Sequence, residues 1–210
     1  MTAFHQGTFS RPFTLHAAVL AGGRSMRMQT DKRFLEIQGE RLIDRALRLA
    51  QDSVRPYNGE VFLCGDVPGR KCMPDAVPGL GPLSGLRSAL KVVSPGYNAW
   101  LLVLPVDMPL LNETLLKNLI AELTIENKEN YEAVCFDGFE MPCLLCITRR
   151  VQGAVEGLCQ EEKSSSSRSI RALFGQIGAR RLELPASFRP MMANVNLPSD
   201  WARICEEVST

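Results

Sequence analysis

The chain has 210 residues, 45% of them hydrophobic and 22% charged, which is enough apolar content to bury a full core and excludes a disordered chain. With 24 Lys+Arg against 23 Asp+Glu the net charge is +1, so no global field exists for nonspecific binding to nucleic acid or a membrane surface, and a small-molecule substrate is expected. The seven cysteines, an odd number scattered among apolar neighbours, read as reduced thiols used as small core residues, which points to the cytoplasm.

Residues 1–14 lack a cationic start followed by an apolar core, and no apolar run approaches the roughly 20 residues of a membrane span. They read as an irregular extension ahead of a single domain over residues 15–210. The stretch LHAAVLAGGRSMRMQTDK, residues 15–32, is the one around which the rest of the chain is organised. Its apolar part, Ala17 to Ala21, shows no alternation and stops at Gly22-Gly23, as a parallel strand buried on both faces does. Glycines at such a strand's carboxyl end bring backbone amides close to a phosphate, and Arg24, Arg27 and Lys32 add the charge that amides lack. A surface turn with a solvated cationic face would produce the same bare glycine pair. The spacing matches neither the G-x-x-x-x-G-K-[ST] loop nor G-x-G-x-x-G.

Residues 34–37 are short and apolar, Gly39 punctuates, and the apolar spacing of residues 41–52 predicts a crossover helix. A buried strand over residues 61–64 ends at Gly65-Asp66. Residues 66–85, dense in proline and glycine, form a functional loop containing Asp75, and Gly81-Pro82 opens a helix through Leu86, Ala89, Leu90 and Val93. Residues 99–104 make a central strand with Asp107 just past its tip, where an open α/β sheet binds ligands and a carboxylate holds Mg²⁺ against phosphate oxygens. The cap of the next helix falls to Asn112, which leaves Asp107 for other work.

Two strands over residues 131–136 and 141–148, joined at Asp137-Gly138, predict a hairpin at the sheet edge. Within the second, Cys143-x-x-Cys146 reads as strand residues on opposite faces rather than a metal or redox pair. Residues 149–178 read as helical pieces around a solvated serine run, and 181–184 as a short strand. Asn194 and Asn196, two apart in an extended segment, project together toward the cleft; the alternative is turn chemistry alone, with Ser199 as a candidate cap of the last helix. The order of elements gives a three-layer, mainly parallel, Rossmann-like α/β sheet. The two histidines, His5 and His16, lie away from the strand tips, so histidine triads and histidine metal sites are excluded.

LAGGRSMRMQTDK resembles the L-A-G-G-x-S-x-R-M-G-x-D-K signature of the MobA-like nucleotidyltransferases, departing from it only at Gln29, where the family usually has glycine. GPLSG at 81–85, PVDMP at 105–109 and NVNLPSD at 194–200 resemble the remaining family blocks in family order, although Met141 stands where members commonly carry a polar residue. The resemblance implies Mg-dependent transfer of GMP from GTP to the phosphate of molybdopterin-bound molybdenum, with dealings with molybdenum-insertion or molybdoenzyme-maturation proteins. By carry-over, Leu20, Ala21, Gly22, Gly23, Arg24, Lys32, Asp75, Gly81 and Asp107 contact GTP, and Asn194 and Asn196 face the pterin. Lys32, Arg27 and Asp107 carry the catalysis, with Asp107 as the Mg²⁺ ligand. Cytidylyl transfer to the same cofactor, sugar-phosphate nucleotidyl transfer and nucleotide binding without turnover share these motifs. If the loop takes another path at Gln29, then Gln29 and Thr30 keep negative φ.

Overall fold

The computed structural model describes residues 13–22, 28, 30–75, 77, 80–96, 98–124, 131–160 and 168–209. Arg24, Arg27, Gly23 and Gln29 therefore lie outside the described residues, as do most of residues 1–14. The expectation for the backbone at Gln29 and Thr30 rests on Gln29 and so lies outside the described residues.

Strands β1 (Thr14–Leu20), β4 (Val61–Cys64), β5 (Ala99–Pro105), β6 (Ala133–Phe136), β7 (Cys143–Cys146) and β8 (Ala179–Leu182) form one six-stranded sheet in the order β4-β1-β5-β7-β6-β8. A small hairpin, β2 (Glu36–Ile37) and β3 (Glu40–Arg41), stands apart and turns through Gln38 and Gly39, both at positive φ. Helices α1 (Leu42–Val54), α2 (Pro82–Val92), α3 (Glu113–Ala121), α4 (Arg149–Gln160), α5 (Ile170–Ile177) and α6 (Pro198–Ser209) complete the fold. In β1, Leu15, Ala17 and Val19 join the core under α1, α3 and α6, whereas Ala18 joins the core under α2, α4 and α5. A strand with both faces covered needs apolar residues at every position, which is why its sequence does not alternate.

The expected hairpin is present, but it is not at the edge. β7 runs antiparallel between β5 and β6, with Val103 opposite Cys143 and Cys135 opposite Cys143 from the other side, and β8 adds in parallel outside β6. With strands on both edges and a core on each face, all four β7 residues are buried. β8 starts two residues before the expected strand. Cys143 and Cys146 point to opposite faces, as read from spacing, and all seven thiols are free.

Two capping expectations divide. The Asn112 side chain accepts from the Leu115 amide at 3.0 Å and caps α3. Ser199 does not cap α6, because the helix begins at Pro198; instead Asp200 Oδ2 accepts from the amides of Asn196 and Leu197 at 3.0 and 2.8 Å. Among the described residues no helix is long and apolar enough to cross a membrane.

Candidate active site

The three strands β4, β1 and β5 are parallel and in register, with Leu20 opposite both Cys64 and Pro105, so their carboxyl ends stop side by side. Past β1 the chain continues into Ala21 and Gly22, and past β5 into Val106 and Asp107. The two tips are tied by the Val106 amide donating to the Leu20 carbonyl at 3.3 Å. Ala21 donates to the Cys64 carbonyl at 2.8 Å, binding the third tip. Gly65, at φ +116°, backs this corner: a Cβ there would stand 2.6 Å from the Gly22 nitrogen, so only glycine allows the two turns to touch.

Lys32 reaches into this corner from a single 3-10 turn over Lys32–Phe34 that Asp31 caps. Its Nζ donates to Asp107 Oδ2 at 2.6 Å, to the Val195 carbonyl at 3.3 Å and to Asn196 Oδ1 at 3.4 Å. The Val195 amide in turn donates to the Asp107 carbonyl at 2.8 Å, so the segment before α6 is stitched to the tip of β5. Both asparagines are exposed, and Asn196 meets the rim of the cleft through its bond from Lys32. Between the two asparagines Val195 is buried, and its backbone takes the bonds from Lys32 and to Asp107.

On the other wall stands Asp75, its carboxylate packed beside Gly22, where an added Cβ would lie 3.1 Å from Asp75 Oδ2. Burial, reinforced by the nearby Asp66 carboxylate, raises the Asp75 pKa above the ordinary aspartate value. The first turn of α2 closes the cleft with Gly81, Pro82 and Gly85. Ser84 and Ser88 hold the loop that carries Asp75 against this helix: Ser84 Oγ accepts from the Val77 amide at 2.9 Å and Ser88 Oγ donates to the Pro74 carbonyl at 2.7 Å. The Cys64 thiol lines the floor and is pushed up to about 12 by burial and by Asp75, which makes it a packing group and not a nucleophile.

Of the expected site residues, Leu20, Ala21, Gly22, Lys32, Asp75, Gly81 and Asp107 line this one cleft. Gly85, the last residue of the GPLSG block, lines it as well, as do Arg33 and Cys64, which no motif position marks. The only signal for Arg33 is its place beside Lys32. Two roomier clefts, about 530 Å³ between α2 and α4 and about 630 Å³ beside Phe34, have their arginines engaged by acids: Arg87 with Glu156, Arg41 with Glu36, and Arg70 with Asp44. Volume does not choose the site here; the convergence of strand tips, a lysine and two carboxylates does. His16 lies toward the other end of β1, where its Nδ1 accepts from the Glu60 amide at 3.2 Å.

A doubly covered, mainly parallel sheet with a lysine and two carboxylates gathered beyond the ends of its parallel strands is the arrangement of an α/β nucleotidyltransferase. Residues 17–180 match the MobA-like NTP transferase domain, and the chain belongs to that family. It is 34% identical over 200 residues, 95% of this chain and 98% of the relative, to a molybdenum cofactor guanylyltransferase of Xanthomonas euvesicatoria pv. vesicatoria. A protein of the same name from Pseudomonas fluorescens is 32% identical over 206 residues, covering 90% and 92% of the two chains. Among solved structures, molybdopterin-guanine dinucleotide biosynthesis protein A of Archaeoglobus fulgidus shares the fold with a TM-score of 0.66 at 18% identity, over 92% of this chain and 98% of that one.

Proposed function

We propose that this protein is a molybdenum cofactor guanylyltransferase, which transfers GMP from GTP to the phosphate of molybdopterin-bound molybdenum and releases pyrophosphate. The observation that carries the reading is the meeting of Lys32 and Asp107 at 2.6 Å at the joined tips of β1 and β5, inside two of the motif blocks that resemble the family. Full-length similarity to relatives bearing that name supports the choice of substrates.

In this reading an oxygen of the acceptor phosphate attacks the α-phosphorus in line. The bond from the α-phosphorus to its bridging oxygen breaks, and pyrophosphate leaves with the electron pair. Leu20, Ala21 and Gly22 line the triphosphate, Asp75 and Gly81 flank the nucleoside, and Lys32 exchanges Asp107 for phosphate oxygens as negative charge grows on the leaving group. Asn196 holds Lys32 from the acceptor side, where Asn194 also lies. Arg24, Arg27 and Gly23 belong to the same phosphate-binding stretch by sequence. Among the described residues no histidine lines the cleft, and in this reading catalysis rests on placement and charge.

The donor set fits Mg²⁺. Among the described residues no group of three His, Cys, Asp or Glu side chains forms a protein cage for a metal, and one or two carboxylates in a phosphate cleft are the usual protein share of a Mg²⁺ sphere. Asp107 would hold the ion, which when bound neutralises charge on the triphosphate and on the attacking group.

The test is pyrophosphate release with each of the four nucleoside triphosphates, with and without the molybdenum cofactor. Release with GTP that depends on the acceptor is the expected result. Preference for CTP would make the protein a cytidylyltransferase, and nucleotide binding without release would make it a binding protein.

A further inference from the structure

Arg33 lines the cleft, yet its guanidinium is committed to the protein. Nε donates to Asp31 Oδ1 and Oδ2 at 2.8 and 3.0 Å, Nη2 to Asp31 Oδ2 at 2.5 Å, and Nη1 to the Ala21 carbonyl at 3.2 Å and to the Asp66 carbonyl. The side chain is only 14% exposed. One planar fork therefore joins the segment that carries Lys32, the tip of β1 and the turn after β4.

The Ala21 carbonyl belongs to the same planar peptide unit as the Gly22 amide, so holding one fixes the direction of the other. On its far side Ala21 is held by its own amide, which donates to Cys64, and Gly22 rests against Gly65. Gly22 N–H is the first amide of the turn that follows β1. We propose that Arg33 is a positioning residue for the triphosphate: it sets the Ala21–Gly22 peptide plane and seats Lys32, its chain neighbour, against the same corner, without touching substrate. The inference rests on the nucleotidyl-transfer reading. The family signature L-A-G-G-x-S-x-R-M-G-x-D-K ends at Lys32, so nothing in it assigns Arg33 this role. An arginine is required because its rigid fork spans acceptors on three segments, whereas a lysine offers a point charge on a flexible stem.

The experiment compares R33K and R33Q with the parent protein by calorimetric affinity for GTP and for guanosine, together with kcat and thermal stability. The expected result is a loss of GTP affinity of roughly tenfold in both variants, the scale of one charge-assisted hydrogen bond, with guanosine affinity unchanged. A role confined to the fold would lower Tm and weaken both ligands alike, or neither, and either outcome overturns the proposal. Full GTP affinity in R33K also overturns it, since a point charge would then suffice. If the parent protein binds none of the four triphosphates, the nucleotidyl-transfer reading fails and this inference falls with it; binding by the parent with unchanged variants defeats the inference alone.

Discussion

Asp107→Ala separates a catalytic role from a structural one, because the two have different sizes. Lys32 Nζ and Asp107 Oδ2 are 2.6 Å apart with side chains 19% and 23% exposed, so their gross attraction is roughly 6 kcal/mol at an effective dielectric constant of about 20. Little of that is net stability, since both groups lose hydration on pairing. After truncation Lys32 still donates to the Val195 carbonyl and to Asn196, and water enters from the open side of the cleft. The expected loss of stability is about 1–2 kcal/mol, which in a chain of this size lowers Tm by roughly 2–8 °C. Turnover should fall by roughly a thousandfold or more, about 4 kcal/mol of transition-state stabilisation. Asp107→Asn sharpens the comparison: it keeps an oxygen for Lys32, so Tm should move less while turnover falls as far. The assays are GTP-dependent pyrophosphate release at saturating Mg²⁺ and acceptor, and thermal unfolding of the same preparations. Full activity in the folded alanine variant, or activity lost only in proportion to the fraction unfolded, refutes the assignment.

Lys32→Ala should lower kcat more than it weakens GTP binding, because the lysine follows charge as it develops; reduced affinity at unchanged kcat would show uniform binding instead. Gly85→Ala places a Cβ 2.9 Å from Cys64 Cβ and 3.1 Å from Leu20 Cδ2, so α2 must move off the strand tips. A net loss of about 1–2 kcal/mol remains after the gain in helix propensity, and a Tm above the parent's would contradict it. Asp75 has a raised pKa in the folded protein, so the native state keeps its proton to higher pH than the unfolded chain does. Its charge therefore costs stability that is absent below the ordinary carboxylate range and grows as pH rises through the folded pKa. Nucleotide-free Asp75→Asn should have the higher Tm at pH 7, with the advantage gone near pH 3 (about one unit below the ordinary carboxylate value). Equal advantage at both pH values would rule out this linkage.

Much of the scaffold could be read directly from the chain. A strand segment covered on both faces is apolar at successive positions, so β4, β5 and the second half of β1, residues 17–20, announce themselves as continuous apolar runs, and the Gly and Asp residues that follow them mark where the cleft opens. Asn112 was legible as a cap because capping is decided within four residues. Ser199 misled for the same reason: a serine, a proline and an aspartate compete there, and the structure starts α6 at Pro198 and uses the Asp200 carboxylate.

Near neighbours along the chain set the two-faced burial of the central strands, the turn residues at their ends, and the chemical character of Gly22, Lys32, Asp75 and Asp107. Which distant groups meet is settled by the folded chain as a whole. The pairing of β6 with β7 follows from their closeness in the chain, across residues 137–142, but the second edge of β7 is free to choose a partner anywhere, and it lies against β5 with β8 beyond β6. Lys32 finds Asp107 across 75 positions and Asn196 across 164, and Arg33 finds the Ala21 and Asp66 carbonyls, which carry no side-chain identity for a motif to record. Such contacts depend on strand register and on the direction of crossovers, and those are settled by packing the whole sheet, not by any local pattern along the chain.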